Sequence, residues 1–145
     1  PKQQLKPSQE LLQRHLVEAM RCGKAGDRRG EGAAYCELGL AYARLSQFTR
    51  AVEYHEKCLA IALEVGNRTG EGAAYGNLGS AYDSMGQLER AVQYHKKSLA
   101  IALEIGDRAG EATTYANLAL AHKGLGQEER AREYERKSAA LQQRL

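Results

Sequence analysis

Residues 51–79 read AVEYHEKCLAIALEVGNRTGEGAAYGNLG, and residues 91–119 read AVQYHKKSLAIALEIGDRAGEATTYANLA. More than half of the paired positions are identical. The register extends in both directions at the same spacing: Tyr35, Tyr75 and Tyr115; Leu38, Leu78 and Leu118; Ala51, Ala91 and Ala131. A Gly-Asp/Asn-Arg triplet recurs at 26–28, 66–68 and 106–108. Biased composition does not hold register over three copies, so the chain is built from repeats.

Each period reads as two helices. The first is expected from about Arg28 to Leu45, with Tyr35, Leu38, Tyr42 and Leu45 on one face. Asp27, Asn67 and Asp107 stand where a side chain caps the free amides of a first turn. Ser46-Gln47, Gly86-Gln87 and Gly126-Gln127 end the pattern. Gly86 and Gly126 suit a left-handed cap, and Ser46 is a weaker stop. The second helix is expected from about Phe48 to Val65, with Ala51, His55, Cys58, Leu59, Ala62 and Leu63 at helical spacing. Leu59 is expected to be buried between hairpins. Turns this short force neighbouring helices to run antiparallel.

Gly39 and Gly79 share one phase in mid-helix, where glycine costs about 1 kcal/mol relative to alanine. A close helix contact is the compensation expected there, and Ala119 keeps the slot small in the third copy. Residues 8–25 continue the frame as a lone second helix, with Ser8 as its expected cap and His15 in phase with His55 and His95. The expected division is an N-terminal extension at 1–7, the partial repeat at 8–25, and full repeats at 27–66, 67–106 and 107–145. Because the sequence opens Pro1-Lys2-Gln3-Gln4, it reads as an excised segment of a longer protein.

The chain has 145 residues, 43% hydrophobic and 27% charged, with a net charge of +3. Basic and acidic residues alternate along it, which suits a solvated helical surface and not a nucleic-acid face with clustered Lys and Arg. No apolar run reaches the length of a membrane span. Cys22, Cys36 and Cys58 lack CxxC spacing. Cys36 shares its slot with Gly76 and Ala116, and Cys58 with Ser98 and Ser138. Both are therefore expected to be small packing residues and neither metal ligands nor disulfide partners. Three free thiols favour a reducing, cytoplasmic setting.

The pattern Tyr35-x-x-Leu38-Gly39-x-x-Tyr42, followed by Ala51 and the small Cys58, resembles the tetratricopeptide repeat (TPR). The resemblance runs from about Ser8 onward and implies an all-α fold: an α-solenoid, a right-handed superhelix of about seven helices in TPR hairpins. The usual unit has 34 residues. This longer one extends the second helix through Leu59-Ala60-Ile61-Ala62-Leu63-Glu64. In that respect it resembles the repeats of the LGN/Pins adaptors. The matching residues are Tyr94-His95, Leu99-Ala100-Ile101-Ala102, Gly106-Asp107-Arg108, Gly110-Glu111 and Asn117-Leu118.

In TPR superhelices the first helix of each pair lines the concave groove. The resemblance therefore implies that Glu37, Asn77 and Asn117 face it, with Leu40, Ser80 and Leu120, then Arg44, Asp83 and Lys123, further along. An amide donates and accepts, so Asn77 and Asn117 can grip the backbone of an extended peptide. In LGN-like repeats the corresponding Asn does this. Arg28, Arg68 and Arg108 recur at the hairpin junctions, where pairing with nearby Glu is the expected role. His15, His55 and His95 sit on successive repeats, about 10 Å apart, too far to converge on one ion. They are expected to be core residues.

Gly-Glu-Gly at 30–32 and 70–72 lacks the strand and Lys of a phosphate loop. No catalytic set, cofactor site or metal site is expected, and no nucleic-acid or membrane partner. The implied function is a protein-interaction module that binds a partner's peptide, as an adaptor or scaffold. The alternative is a structural array that self-associates through uncovered ends.

Overall fold

The computed structural model describes residues 4–144, which form seven α-helices and no strand. They are α1 (Pro7–Ala25), α2 (Arg28–Arg44), α3 (Phe48–Val65), α4 (Arg68–Ser84), α5 (Leu88–Ile105), α6 (Arg108–Gly124) and α7 (Glu128–Gln142). The start of the expected N-terminal extension, residues 1–3, and the last residue of the third repeat lie outside the described residues. The helix count and the all-α class match the sequence expectation. The first helix differs at its start: Pro7 opens it, not Ser8. Pro fits the first helical turn because its missing amide has no helical partner there, and Gln9 Oε1 accepts from the Lys6 amide at 3.0 Å.

Two compact units divide the chain, Pro1–Asn67 and Arg68–Leu145. In the first, α2 packs against both α1 and α3. Asp27 Oδ1 accepts from the Gly30 amide at 2.9 Å and starts α2. The α2–α3 hairpin then closes as a ladder of facing pairs: Gly32 with Ile61, Cys36 with Cys58, Gly39 with His55. Leu38 is the central apolar contact, 1% exposed. Tyr54 lies between Tyr35 and Tyr42, stacked on the latter at 5.4 Å between centroids, and Lys57 sits over Tyr35 and Tyr54.

The second unit repeats this design twice. In it α4 packs on α5, α5 on α6, α6 on α7, and α4 also touches α6. Asp107 Oδ1 caps α6 through the Gly110 amide at 2.9 Å. Leu78 and Leu118 are fully buried. Tyr75, Tyr94 and Tyr82 form one ring ladder; Tyr115, Tyr134 and His122 form the next, with Lys97 and Lys137 over them. His122 thus takes the slot of Tyr42 and Tyr82, and its Nδ1 donates to Gln127 Oε1 at 2.6 Å.

Three expectations change. Cys36 and Cys58, read as packing residues unsuited to a disulfide, are joined by one. Their slots face each other across α2 and α3, so the smallness that suited packing also suits a crosslink. Leu59 is only half-buried, whereas Leu38, Leu78 and Leu118 are almost wholly buried. Ser46 adopts the same left-handed conformation (φ 58°) as Gly86 and Gly126 (75° and 76°). The turn geometry is therefore kept, and the side chain carries the strain.

The small slots in mid-helix have a definite partner. A Cβ on Gly39 would lie 2.4 to 2.8 Å from three ring atoms of His55, and His55 is 1% exposed. In the third hairpin Ala119 occupies the slot, and residue 135, at the histidine phase, is Glu. A methyl group appears where the ring is absent. His55 and His95 are core residues, as expected, and burial holds the His55 imidazole down to about 4. His15 is only partly buried.

Candidate functional site

A cleft of ≈ 370 Å³ opens in the second unit, lined by α4, α5 and α6. Its hollow follows from the sequence: Gly72, Ala73 and Gly76 leave one wall of α4 nearly bare. Asn77 and Ser80 stand further along that wall, and Thr113 and Asn117 of α6 stand opposite. Ile101, Ala102 and Ile105 of α5 supply apolar surface, and Ser98 and Asp107 complete the lining. Asp107 is the one titratable residue in that lining, and one of its oxygens accepts from Gly110. The result is a trough with an apolar side, amide and hydroxyl groups on two walls, and one capping carboxylate. Such a surface suits a peptide main chain or uncharged side chains more than an ion.

Among the residues chosen from sequence, Asn77, Ser80 and Asn117 line this cleft together. Asn77 and Asn117 are both partly exposed. Leu120 (68% exposed) and Lys123 lie on α6 beyond it. Asp83 faces inward: its Oδ2 accepts from His95 Nε2 at 2.9 Å, and its Oδ1 is buried without a partner. Glu37, Leu40 and Arg44 belong to the first unit, where Glu37 and Arg44 are exposed and Leu40 is half-buried. The sequence reading passed over Thr113, Ile101 and Ile105. The last two sit on the prolonged end of the second helix, and the extra length of the repeat was the signal for them.

The junction arginines pair with acids as expected. Arg28 reaches Glu31 and Glu64, both at 2.7 Å. Arg68 reaches Glu71 at 2.8 Å and also Glu104, whose carboxyl it holds below the usual carboxylate range. Arg108 is 3.7 Å from Glu111. Glu71 and Glu111 are buried, while the arginines face solvent, and solvent screening weakens the pairs on that side. Among the described residues, no cluster of His, Cys, Asp and Glu could hold a metal ion, and no helix is long and apolar enough to cross a membrane.

Known proteins share this architecture. The TPR domain of Arabidopsis FLU superposes with a TM-score of 0.78 at 23% identity, covering 81% of this chain and 99% of that one. BtubC from P. vanneervenii gives 0.86 at 20% identity, over 93% of this chain and 56% of that one. A signal transduction ATPase with numerous domains and a tetratricopeptide repeat sensor, from Pyrococcus horikoshii, gives 0.84 at 21% identity. There the match covers 95% of this chain and 22% of that protein. At these identities the likeness establishes the fold alone. No curated protein matches the chain. Family models described as tetratricopeptide repeat match residues 30–104 and 112–145. Matched over more than half its length, with helical hairpins in register, the chain belongs to the tetratricopeptide repeat family.

Proposed function

We propose that the chain is a peptide-binding adaptor module, and that the cleft between α4 and α6 takes an extended segment of a partner protein. TPR domains generally mediate protein–protein interaction and are typically non-enzymatic, which sets the class. The observation that carries the finer reading is that Asn77 and Asn117, one repeat apart, line one cleft whose lining holds a single titratable residue, Asp107. Two amides at that spacing can each donate to and accept from a bound main chain. Ile101 and Ile105 beside them offer burial to an apolar side chain of the guest. Leu120 and Lys123 are further contacts on α6; in the first hairpin Glu37 and Leu40 are the positions corresponding to Asn117 and Leu120, and Arg44 follows the position corresponding to Lys123. Asp83 acts through His95 and not by touching the guest. The resemblance of the long repeats to those of the LGN/Pins adaptors supports the same role; the cytoplasmic setting expected from three free thiols loses that support, because Cys36 and Cys58 are joined and Cys22 is left free.

The test is selection of peptides from a random displayed library on the immobilised chain, followed by calorimetry with the wild type and with the double variant Asn77→Ala, Asn117→Ala. Loss of binding with an unchanged circular dichroism spectrum supports the reading; undiminished binding refutes it.

A self-associating array is the second reading. Its motive is the exposed apolar side of α1, where Val17 and Met20 are each 57% exposed. Lys57 and Ala60 stand at these phases in α3. Light scattering across a concentration series separates the two, since a strict monomer argues against self-association.

A further inference from the structure

The disulfide between Cys36 on α2 and Cys58 on α3, Cα atoms 5.4 Å apart, is peculiar to the first hairpin. The same slots hold Gly76 and Ser98 in the second hairpin and Ala116 and Ser138 in the third. There the rung closes by hydrogen bonds: Ser98 Oγ donates to the Gly72 carbonyl at 3.0 Å, and Ser138 Oγ to that of Ala112 at 2.9 Å. The fold therefore does not need sulfur at this rung. Gly76 and Ser98 also line the cleft of the second unit, so the cysteines hold the corresponding wall position of their own hairpin. Cys58 is buried, whereas Cys36 is partly exposed.

We propose that Cys36–Cys58 is a reversible thiol–disulfide modification site, opened and closed by exchange with a small thiol of the glutathione class, with Cys36 as the sulfur attacked. In opening, the external thiolate forms a bond to Cys36 Sγ. The Cys36–Cys58 bond breaks, and its electron pair leaves on Cys58 Sγ, which takes up a proton. A second external thiolate attacks the outer sulfur of the mixed disulfide. Cys36 leaves as a thiolate and is protonated. Two small thiols are oxidised to one disulfide as the protein disulfide is reduced to two thiols. Closing is the reverse, with the small disulfide as oxidant.

Access sets the direction of attack, because the entering sulfur must approach from outside and Cys36 is the more exposed end. The freed Cys58 thiol then occupies the place of Ser98 and can turn to the Gly32 carbonyl as Ser98 turns to Gly72. Cys22 stays out of the exchange. It is 2% exposed, and burial together with its contact to Glu18 pushes its thiol up, away from the reactive thiolate. Opening removes a link between residues 22 apart in sequence. The expected loss in melting temperature of the first unit is of the order of 10–25 °C.

The test equilibrates the whole chain across a series of reduced to oxidised glutathione ratios, quenches in acid, and counts free thiols by alkylation mass shift. Melting is followed in parallel. The variant Cys36→Gly with Cys58→Ser installs the second hairpin's own pair and serves as the folded control. The expected result is that two thiols appear and vanish together, Cys22 reacts only after denaturation, and wild-type melting tracks the ratio while the control does not. Cys58→Ser should take a glutathione adduct at Cys36, and Cys36→Ser should take little at Cys58. Thiols that stay free in excess oxidised glutathione, melting that ignores the ratio, an equal shift in the control, or adducts favouring Cys58 would each overturn the proposal.

Discussion

The imidazole of His95 fills the space that a side chain at residue 79 would need: a Cβ on Gly79 would lie 2.6 Å from its Cε1 and Nδ1. His95 is fully buried, and its Nε2 is bonded to Asp83 Oδ2 at 2.9 Å. The ring thus has little room to retreat.

Gly79→Ala is therefore expected to destabilise the second unit by about 1–3 kcal/mol, although alanine favours a helix by about 1 kcal/mol. Urea denaturation measures it. A stabilised variant would show that the ring yields freely.

Ser46 offers the opposite case. Its φ of 58° puts a Cβ where Gly86 and Gly126 have none. The left-handed conformation costs an L-residue about 1–2 kcal/mol, and the added freedom of glycine in the unfolded chain returns part of that. Ser46→Gly should stabilise the first unit by roughly 0.5–1 kcal/mol, the net of these terms. A drop in the denaturation midpoint would contradict it.

His55 makes stability depend on pH. Burial lowers its folded value to about 4, below an unfolded value of about 6.5. The neutral ring is favoured in the fold, so its contribution is complete above the unfolded value. It is lost as pH falls from there towards 4, on the order of 3 kcal/mol in all. Acid titration of folding free energy tests this against His55→Gln. The variant's curve should be flatter by up to about 1.4 kcal/mol per pH unit in that window; parallel curves would contradict the assignment.

Leu78 is fully buried in the second unit, whereas Leu59 in the first is half-buried. Leu78→Ala should cost about 2–5 kcal/mol, and Leu59→Ala clearly less. Equal losses in chemical denaturation would undo this ranking.

The hairpins were legible because register over three copies carries both helix phase and turn position. Phe48–Val65 matches its expected bounds, and Asp27 and Asp107 cap as their position implied. The need for smallness at Gly39 and Gly79 was legible too, but the partner ring was not. That required knowing which residues of two antiparallel helices stand opposite. The same knowledge reveals the Cys36–Cys58 link, since those slots lie one rung from Gly39 and His55. Of the residues that the TPR resemblance assigned to the groove, Asn77, Ser80 and Asn117 line the cleft of the second unit. Asp83 shares that assignment, but in its hairpin alone a carboxylate stands within reach of the histidine ring, and that bond draws it inward. Thr113, Ile101 and Ile105 depend on how three helices meet, which periodicity does not encode.

The measurement that bears most directly on function is calorimetric titration of a library-selected peptide into the wild-type chain and the Asn77→Ala, Asn117→Ala variant. Removing two main-chain contacts of about 1 kcal/mol each predicts binding weakened at least tenfold, with melting within about two degrees of wild type. Equal affinity for both proteins would show that the guest, and with it the function, lies elsewhere on the molecule.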